Sequence, residues 1–142
     1  MQQPVLTERE LSEFLDDVFP QVRGQFVVEE LSSMRSRMRM PIAERHLRPG
    51  GTVSGPAMFA LADVAFYAAT LGMIGREPLT VTTNLNINFM RKPALADMIA
   101  EARILKLGRT LSVGDVTLWS DGKPDPVAHA TCTYAIPPKS TG

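Results

Sequence analysis

A single acidic residue, Asp63, lies within an otherwise apolar stretch of the chain. Every other side chain from Ala57 to Ala69 is apolar or, at Tyr67, aromatic, so a helix over this stretch has no broad polar face. Such a helix belongs in a protein core. A carboxylate there is costly unless it is hydrogen-bonded, paired or protonated. Asp63 is therefore a candidate for catalysis, and the alternative is a buried acid that caps a backbone or pairs with an arginine.

The residues on either side of this stretch predict where the helix begins and ends. Segment 41–55 has several glycines and prolines near its end, which is typical of a loop. Pro56 suits the first helical position because its φ is fixed and no N–H is needed there, which places Gly55 near the N-cap. Gly72 and Gly75 are stop signals at the other end.

The rest of the pattern predicts the elements that surround this helix. Thr7 and Glu10 fit a capping box, which predicts an N-terminal helix over about 7–18. Alternating apolar and polar residues predict two strands between residues 26 and 40. Four more strands are predicted after the helix, at 84–90, 96–107, 110–120 and 127–136.

Two strands carry further detail. The apolar phase of segment 110–120 shifts between Val113 and Val116, which predicts a β-bulge near Gly114. Arg35, Arg37 and Arg39 alternate with apolar residues, and we interpret this row as a solvated sheet face and not as a ligand site.

This order of elements predicts an α+β fold in one domain over residues 1–142. A single curved antiparallel sheet wrapped around the long central helix explains why that helix is apolar on all sides. We expect the core of the domain at about 26–136, followed by a short polar tail from Pro137. The sequence contains no repeat and no linker.

Composition excludes several classes of function. The 15 Lys and Arg balance the 15 Asp and Glu, so neither nucleic acid nor an anionic membrane is expected as a partner. The central helix is too short and too rich in small residues for a membrane span. One cysteine, Cys132, suits a reducing compartment, and the N-terminus has no secretory signal pattern. We expect a cytoplasmic protein without a metal, since no cluster has metal-ligand spacing.

The segment from His46 to Asp63 resembles the signature of hotdog-fold acyl-CoA thioesterases of the PaaI-like, phenylacetate-pathway type. His46, Gly51, Gly55 and Asp63 fall in register with that signature. Residues 82–93 resemble the next strand of the family, and the turn at 108–109 resembles its hairpin. The resemblance covers roughly residues 26–136. It implies a hotdog fold and hydrolysis of an acyl-CoA thioester, with coenzyme A as part of the substrate and no separate cofactor.

Two residues depart from the family pattern. Arg48 lies where the family usually has Asn, and Ser54 lies where it usually has His. In the family the His-Gly pair shapes an oxyanion hole in which the glycine amide donates. Gly55 still supplies an N–H at a helix start, where the partial positive charge favours an oxyanion. Ser54 can cap the helix but does not reproduce the geometry of histidine, and Arg48 is a candidate anchor for a carboxylate on the acyl group.

Spacing predicts that the site is shared between subunits. Gly55 and Asp63 are eight residues apart, or about 12 Å along a helix. The two groups therefore cannot both reach one thioester carbonyl from the same helix. If they cooperate, Asp63 of one subunit meets Gly55 of another. The resemblance implies the same arrangement, so we expect a homodimer or a dimer of dimers.

The resulting hypothesis assigns a role to each candidate residue. Asp63 activates water or attacks the carbonyl directly, and the Gly55 amide stabilises the oxyanion. Thr82 or Thr83 positions the water, and basic residues meet the phosphates of coenzyme A. The predicted catalytic residues are Asp63, Gly55, Ser54 and Thr82. The predicted substrate-binding residues are His46, Arg48, Gly51, Thr83, Arg91, Lys92 and Arg109.

Two other functions remain open at this point. One is hydration or dehydration of an acyl thioester, which usually needs an acid–base pair; the sequence has no helix-borne histidine near Asp63. The other is a non-catalytic acyl-CoA-binding dimer, which the replacements at Ser54 and Arg48 favour. The acyl group and the carrier, coenzyme A or acyl carrier protein, are also open.

Overall fold

A long helix packs against the inner face of one antiparallel sheet in the computed structural model, which describes residues 2–138. Within these residues the sheet has six strands in the order β1-β2-β4-β5-β6-β3. The predicted polar tail begins at Pro137, and its residues 139–142 lie outside the described residues. The elements are α1 (Glu8–Val18), β1 (Val27–Ser32), β2 (Arg35–Met40), α2 (Gly55–Ile74), β3 (Val81–Phe89), β4 (Met98–Leu107), β5 (Leu111–Ser120) and β6 (Ala128–Ala135).

Helix α1 begins with the predicted capping box. The Glu10 N–H donates to the Thr7 hydroxyl over 3.1 Å, and the Thr7 N–H donates to the Glu10 carboxylate over 3.0 Å. The two bonds satisfy helix-end donors reciprocally. A 3-10 turn, Pro20–Val22, follows the helix and leads toward β1.

Helix α2 is the core of the domain. The expectation that it is too short for a membrane span was wrong, because its 20 residues are long and apolar enough to cross one. Of that apolar window, 67% is buried inside the domain. Ser54 is its N-cap and Gly55 its first residue, so Pro56 is the second helical residue and not, as predicted, the first. Gly75, with a φ of 96°, ends the helix, whereas Gly72 lies within it and is not a stop signal.

The sheet approaches α2 most closely at Gly114. A Cβ there would lie 2.7 Å from Cε1 of Phe66 and 2.0 Å from the Arg103 carbonyl oxygen, so only glycine fits. The bulge predicted on β5 lies instead on the opposite strand. Ile104 pairs with Gly114 and Lys106 with Val113, so the extra residue belongs to β4. Strand β5 keeps a regular alternation, with every second residue from Ser112 to Ser120 buried.

Strand β3 is an edge of the sheet. Among the described strands it pairs only with β6, in antiparallel register from Val81 opposite Ala135 to Phe89 opposite Ala128. Phe89 is 51% exposed at the end of this strand, and Phe59 on the outer surface of α2 is 40% exposed. An unpaired edge beside exposed aromatic residues is a surface that proteins usually cover.

Candidate active site

Asp63 lies half-buried in the wall of an apolar cavity of about 550 Å³. The cavity lies between α2 and the segment that connects α1 to β1. Phe19, Val22 and Phe26 from that segment form one wall, and Ala60, Val64 and Tyr67 from α2 form another. An acid therefore faces a space whose walls are mostly hydrocarbon.

Two hydroxyl groups hold one oxygen of the Asp63 carboxylate. Thr82 on β3 donates to Oδ1 over 2.7 Å, and Tyr134 on β6 approaches the same oxygen to 2.5 Å. The Tyr134 hydroxyl also lies 2.9 Å from the Asp63 carbonyl oxygen. Within residues 2–138 no cation pairs with this carboxylate, and Oδ2 accepts no hydrogen bond. Asp63 is thus neither a backbone cap nor half of an arginine pair in the part of the chain described.

A bulge in β3 selects which threonine reaches the acid. The register passes from Thr82 opposite Tyr134 to Asn84 opposite Thr133, so Thr83 is the extra residue. The Thr83 hydroxyl donates to the Thr133 carbonyl over 3.1 Å. Bulges re-aim side chains near functional sites. Of the two threonines left open by sequence, Thr82 contacts Asp63 and Thr83 bonds to the neighbouring strand.

Gly55 carries an unpaired N–H at the start of α2. The Ser54 N–H donates to the His46 carbonyl over 2.7 Å, the Ala57 N–H donates to the Ser54 hydroxyl over 3.2 Å, and Pro56 has no N–H. The Gly55 amide has no acceptor within the described residues. The Gly55 N–H therefore remains available to a ligand at the positive end of the helix dipole.

The Gly55 amide opens on a second cavity of about 730 Å³ that is basic. Arg48, Arg91 and Lys92 line it, and its lining contains no carboxylate. Arg91 donates to the Pro126 carbonyl over 3.0 Å, whereas Arg48 and Lys92 form no ion pair within the described residues. Unpaired cations around an open cavity favour a ligand with several negative charges.

A tight loop presents Arg48 to this cavity. The Arg48 N–H donates to the Thr52 carbonyl over 2.8 Å, and the Gly51 N–H donates to the Arg48 carbonyl over 3.0 Å. Gly50 and Gly51 have φ values of 99° and 78°, which other residues rarely adopt. The structure gives Gly51 a place in this turn. Its predicted contact with substrate stays a prediction.

His46 lies beneath the same loop and is 4% exposed. The Ala43 N–H donates to Nδ1 over 3.1 Å, so the neutral ring carries its proton on Nε2. Burial and the charge of Arg45 lower the pKa of His46 below its ordinary value, which keeps the ring neutral. His46 does not line the basic cavity, and its role toward substrate stays a prediction.

Arg109 lies at the other end of the sheet from Arg91 and Lys92. It precedes Leu111, which pairs with Ala135 near the start of β3, whereas the other two cations follow the end of β3. Within one subunit the three predicted phosphate contacts are therefore not brought together.

Neither Tyr134 nor the wall of the apolar cavity was predicted from the sequence. Tyr134 alternates with buried residues along β6 and is itself 3% exposed, so its pattern is that of a core residue. Phe19, Val22 and Phe26 lie in a connection whose path the periodicity does not predict. A hydroxyl among apolar alternating residues is the one signal that marks Tyr134.

Comparison with known proteins identifies the family. The chain belongs to the thioesterase superfamily, whose family model matches residues 50–127. The predicted hotdog fold is confirmed, as is the resemblance to PaaI-like proteins. A variant of the phenylacetic acid degradation protein PaaI from Thermus thermophilus is 27% identical with a TM-score of 0.71. That match covers 83% of this chain and 99% of the other.

Two further relatives agree with this assignment. A structure described as a "putative thioesterase" from Silicibacter sp. TM1040 is 54% identical, with a TM-score of 0.89, over 95% of this chain and 94% of the other. A "putative esterase" from Saccharolobus solfataricus is 28% identical over 94% of this chain and 87% of its own length. Together the comparisons support thioester hydrolysis as the general activity.

Proposed function

We propose that the protein hydrolyses an acyl-CoA thioester to a free acid and coenzyme A in the cytoplasm. One observation carries the proposal: Asp63, which has a carboxylate oxygen without a partner among residues 2–138, lines an apolar cavity, and Gly55, whose amide has none there either, lines a basic cavity. The first environment suits an acyl group, and the second suits the phosphates of coenzyme A. The single Cys132, which is buried and unpaired, supports a reducing compartment.

The two cavities favour a site made by two copies of the chain. Gly55 and Asp63 are eight positions apart on α2, or about 12 Å. Thr82, the partner of Asp63, is near the start of β3, whereas Phe89, which lies against Gly55, is at its end. If the β3 edges of two subunits pair antiparallel about a two-fold axis, the start of each strand meets the end of the other.

This pairing assembles the predicted groups. Asp63 of one subunit faces the Gly55 amide of the second, and Arg109 of the first approaches Arg91 and Lys92 of the second. The exposed Phe59 and the unpaired edge of β3 are covered in the same step. We therefore propose a homodimer, alone or within a dimer of dimers, with two identical composite sites.

In the proposed reaction Asp63 is the base or the nucleophile, and the Gly55 amide stabilises the oxyanion. Oδ2 of Asp63 accepts a proton from water, whose oxygen bonds to the thioester carbonyl carbon. The carbonyl oxygen becomes an oxyanion that accepts a hydrogen bond from the Gly55 amide of the second subunit. Collapse of this intermediate breaks the C–S bond, and the proton on Asp63 passes to the thiolate. In the second route, Oδ2 bonds to the carbonyl carbon and the C–S bond breaks, which releases the thiolate of coenzyme A. Water then cleaves the resulting anhydride to the free acid, a proton from that water ends on the thiolate, and the Asp63 carboxylate is regenerated.

A complementation experiment tests the composite site. Asp63→Ala removes the carboxylate, and Gly55→Pro removes the amide donor. Proline is tolerated at a first helical position, and the Gly55 N–H gives up no bond within the described residues. Both variants alone are expected to be inactive in a thiol-release assay with acyl-CoA. Co-expressed with two tags at equal levels, they are expected to recover about a quarter of wild-type activity, because half of the dimers are mixed and each has one intact site.

Controls separate this result from unrelated failures. Asp63→Ala co-expressed with a tagged copy of itself measures the background, and light scattering of each variant checks the oligomer. A folded mixed dimer without activity, or a strictly monomeric protein, would contradict the composite site. The same assay separates the other functions, because a hydratase gives product without thiol release and a binding protein gives neither. Substrates on acyl carrier protein, assayed beside acyl-CoA, identify the carrier.

A further inference from the structure

We infer that Tyr134 is a positioning residue for Asp63, which occupies Oδ1 and leaves Oδ2 as the oxygen that reacts. The inference rests on the proposed function, since it concerns the same carboxylate. It adds a residue from β6 to a site otherwise formed by α2 and β3.

The geometry makes the two carboxylate oxygens unequal. Tyr134 and Thr82 both approach Oδ1, over 2.5 Å and 2.7 Å. Oδ2 accepts no bond from any described residue. A free carboxylate rotates readily because its last torsion is broad and two-fold. Two hydroxyls on one oxygen remove that freedom and direct the other oxygen toward the cavity.

Tyr134 is itself held in place. Its ring packs against Phe66 and Tyr67, with centroid distances of 5.7 Å and 5.9 Å. Its hydroxyl also lies 2.9 Å from the carbonyl oxygen of Asp63, so the phenol is tied to the same helical turn that carries the acid. A buried ring with these contacts has little freedom to leave the carboxylate.

The chemistry of the phenol fits a donor and not a base. Burial first, and then the charge of Asp63, raise the pKa of Tyr134 far above its ordinary value, so the hydroxyl keeps its proton. A hydrogen bond to the ionised form of an acid favours that form. Tyr134 thereby acts as a hydrogen-bond donor to the Asp63 carboxylate in a cavity whose walls are mostly apolar.

Few other titratable groups lie around Asp63. Among the described residues, Cys132 on β6 and Tyr67 on α2 lie near it, and burial is the chief cause that raises the pKa of each to about 12. The wall from the connecting segment contributes Phe19, Val22 and Phe26, which do not titrate. A shift of the low-pH side of the activity profile therefore reports on the hydroxyl bonds to Asp63.

Tyr134→Phe tests the inference because it removes the hydroxyl and keeps the packed ring. We expect kcat to fall about tenfold, the effect of one hydrogen bond to a charged group, with KM nearly unchanged. In the pH profile of kcat/KM, the midpoint of the acid limb is expected to move to higher pH. The ¹³C NMR titration of the Asp63 carboxyl carbon, assigned by its loss in Asp63→Asn, moves its midpoint in the same direction.

Matched variants decide between positioning and general packing. Tyr67→Phe removes a hydroxyl from the same cavity wall that bonds to the Pro78 carbonyl, so it is expected to leave the NMR midpoint unchanged. Thr82→Val removes the other bond to Oδ1 and shifts the midpoint as Tyr134→Phe does, which keeps the test valid if one variant folds poorly. An unmoved midpoint in folded Tyr134→Phe and Thr82→Val would overturn the inference. A moved midpoint without turnover by the wild type would support the tyrosine contact and refute the proposed function alone.

Discussion

Two carboxylates lie on opposite sides of the sheet, Asp63 on α2 and Asp115 on the outer face of β5, and their partners differ. Asp115 on the outer face accepts two bonds of 3.2 Å from Arg103 and lies 3.0 Å from the His129 ring. Among the described residues, the Asp63 carboxylate on the inner side accepts bonds only from two neutral hydroxyls. An arginine and a histidine ring contact the carboxylate of Asp115, whereas two neutral hydroxyls contact that of Asp63. The difference supports the proposal that Asp63 reacts and that Asp115 is structural.

The arginines also differ in whether they have an acidic partner. The predicted solvated arginine row is in part an ion-pair network, in which Arg39 contacts Glu29 at 2.6 Å, Asp121 at 2.8 Å and Asp97 at 3.1 Å. The hydrogen bond to Asp121 is the largest influence that raises the pKa of Arg39. Arg48, in the basic cavity, has no such partner among the described residues. A charge without a protein partner is the better candidate for a ligand contact.

The largest expected effect is the loss of activity in Asp63→Asn. The amide has the shape of the carboxylate, and its oxygen still accepts from Tyr134 and Thr82, so the variant is expected to fold. We expect kcat/KM for acyl-CoA hydrolysis to fall at least about 10³-fold, because an amide is neither base nor nucleophile. Thiol release measures the loss, and thermal unfolding checks the fold.

Asp115→Asn is the matched control for that prediction. It makes the same chemical change on the outer face, where the carboxylate is paired. Activity at pH 7 is expected to stay within about twofold of wild type. Equal losses in the two variants would break the distinction between a paired and an unpaired acid.

A smaller effect is expected from narrowing the apolar cavity. Val22→Trp fills part of the space beside Asp63, so acyl groups with longer chains lose contacts that shorter ones never make. We expect kcat/KM for the longest accepted chain to fall about tenfold relative to the shortest. Rates across a series of saturated acyl-CoA esters measure the shift.

Val27→Trp is the matched control for the cavity variant. Val27 is exposed on β1 and does not line the cavity, so the same substitution there is expected to leave the chain-length profile unchanged. An unchanged profile in Val22→Trp would show that the acyl group lies elsewhere.

The smallest expected effect is a loss of stability when Asp115, on the outer face of the sheet, is replaced. Burial raises the pKa of Asp115, but hydrogen bonds from Arg103 and His129 outweigh it, so the folded pKa lies below the ordinary value. The pair therefore stabilises the fold above about pH 4, the ordinary value for aspartate, and this contribution is lost as the pH falls through the folded pKa. Asp115→Asn is expected to lower the free energy of unfolding by about 1 kcal/mol at pH 7.

Denaturant unfolding at two pH values checks this sign. The difference between wild type and Asp115→Asn is expected to be full at pH 7 and to shrink toward zero near pH 2. A difference that stays constant between these values would mean that the cost comes from packing and not from charge.

Periodicity predicted most of the fold because it reports local environment. The capping box at Thr7, the all-apolar helix α2 and the alternation of the strands each depend on residues close in sequence. The bulge was placed on the wrong strand because a shift in pairing belongs to two strands, and only their contact shows which one carries the extra residue.

The site was predicted in part. Asp63, Gly55 and Thr82 have the local signals of an acid in an apolar helix, an amide at a helix start and a polar residue at a strand start. Tyr134 has no such signal, since its importance comes from meeting a residue 71 positions away. The connection around Val22 was missed for the same reason.

The chain by itself determined that a carboxylate would lie in an apolar helix and that a free amide would lie about two turns before it, because helical spacing is a local property. Only the tertiary structure decided that hydroxyls from β3 and β6 hold that acid and that the acid and the amide open on different cavities. Strand order and register bring those hydroxyls to Asp63, and both depend on contacts between residues that are far apart in sequence.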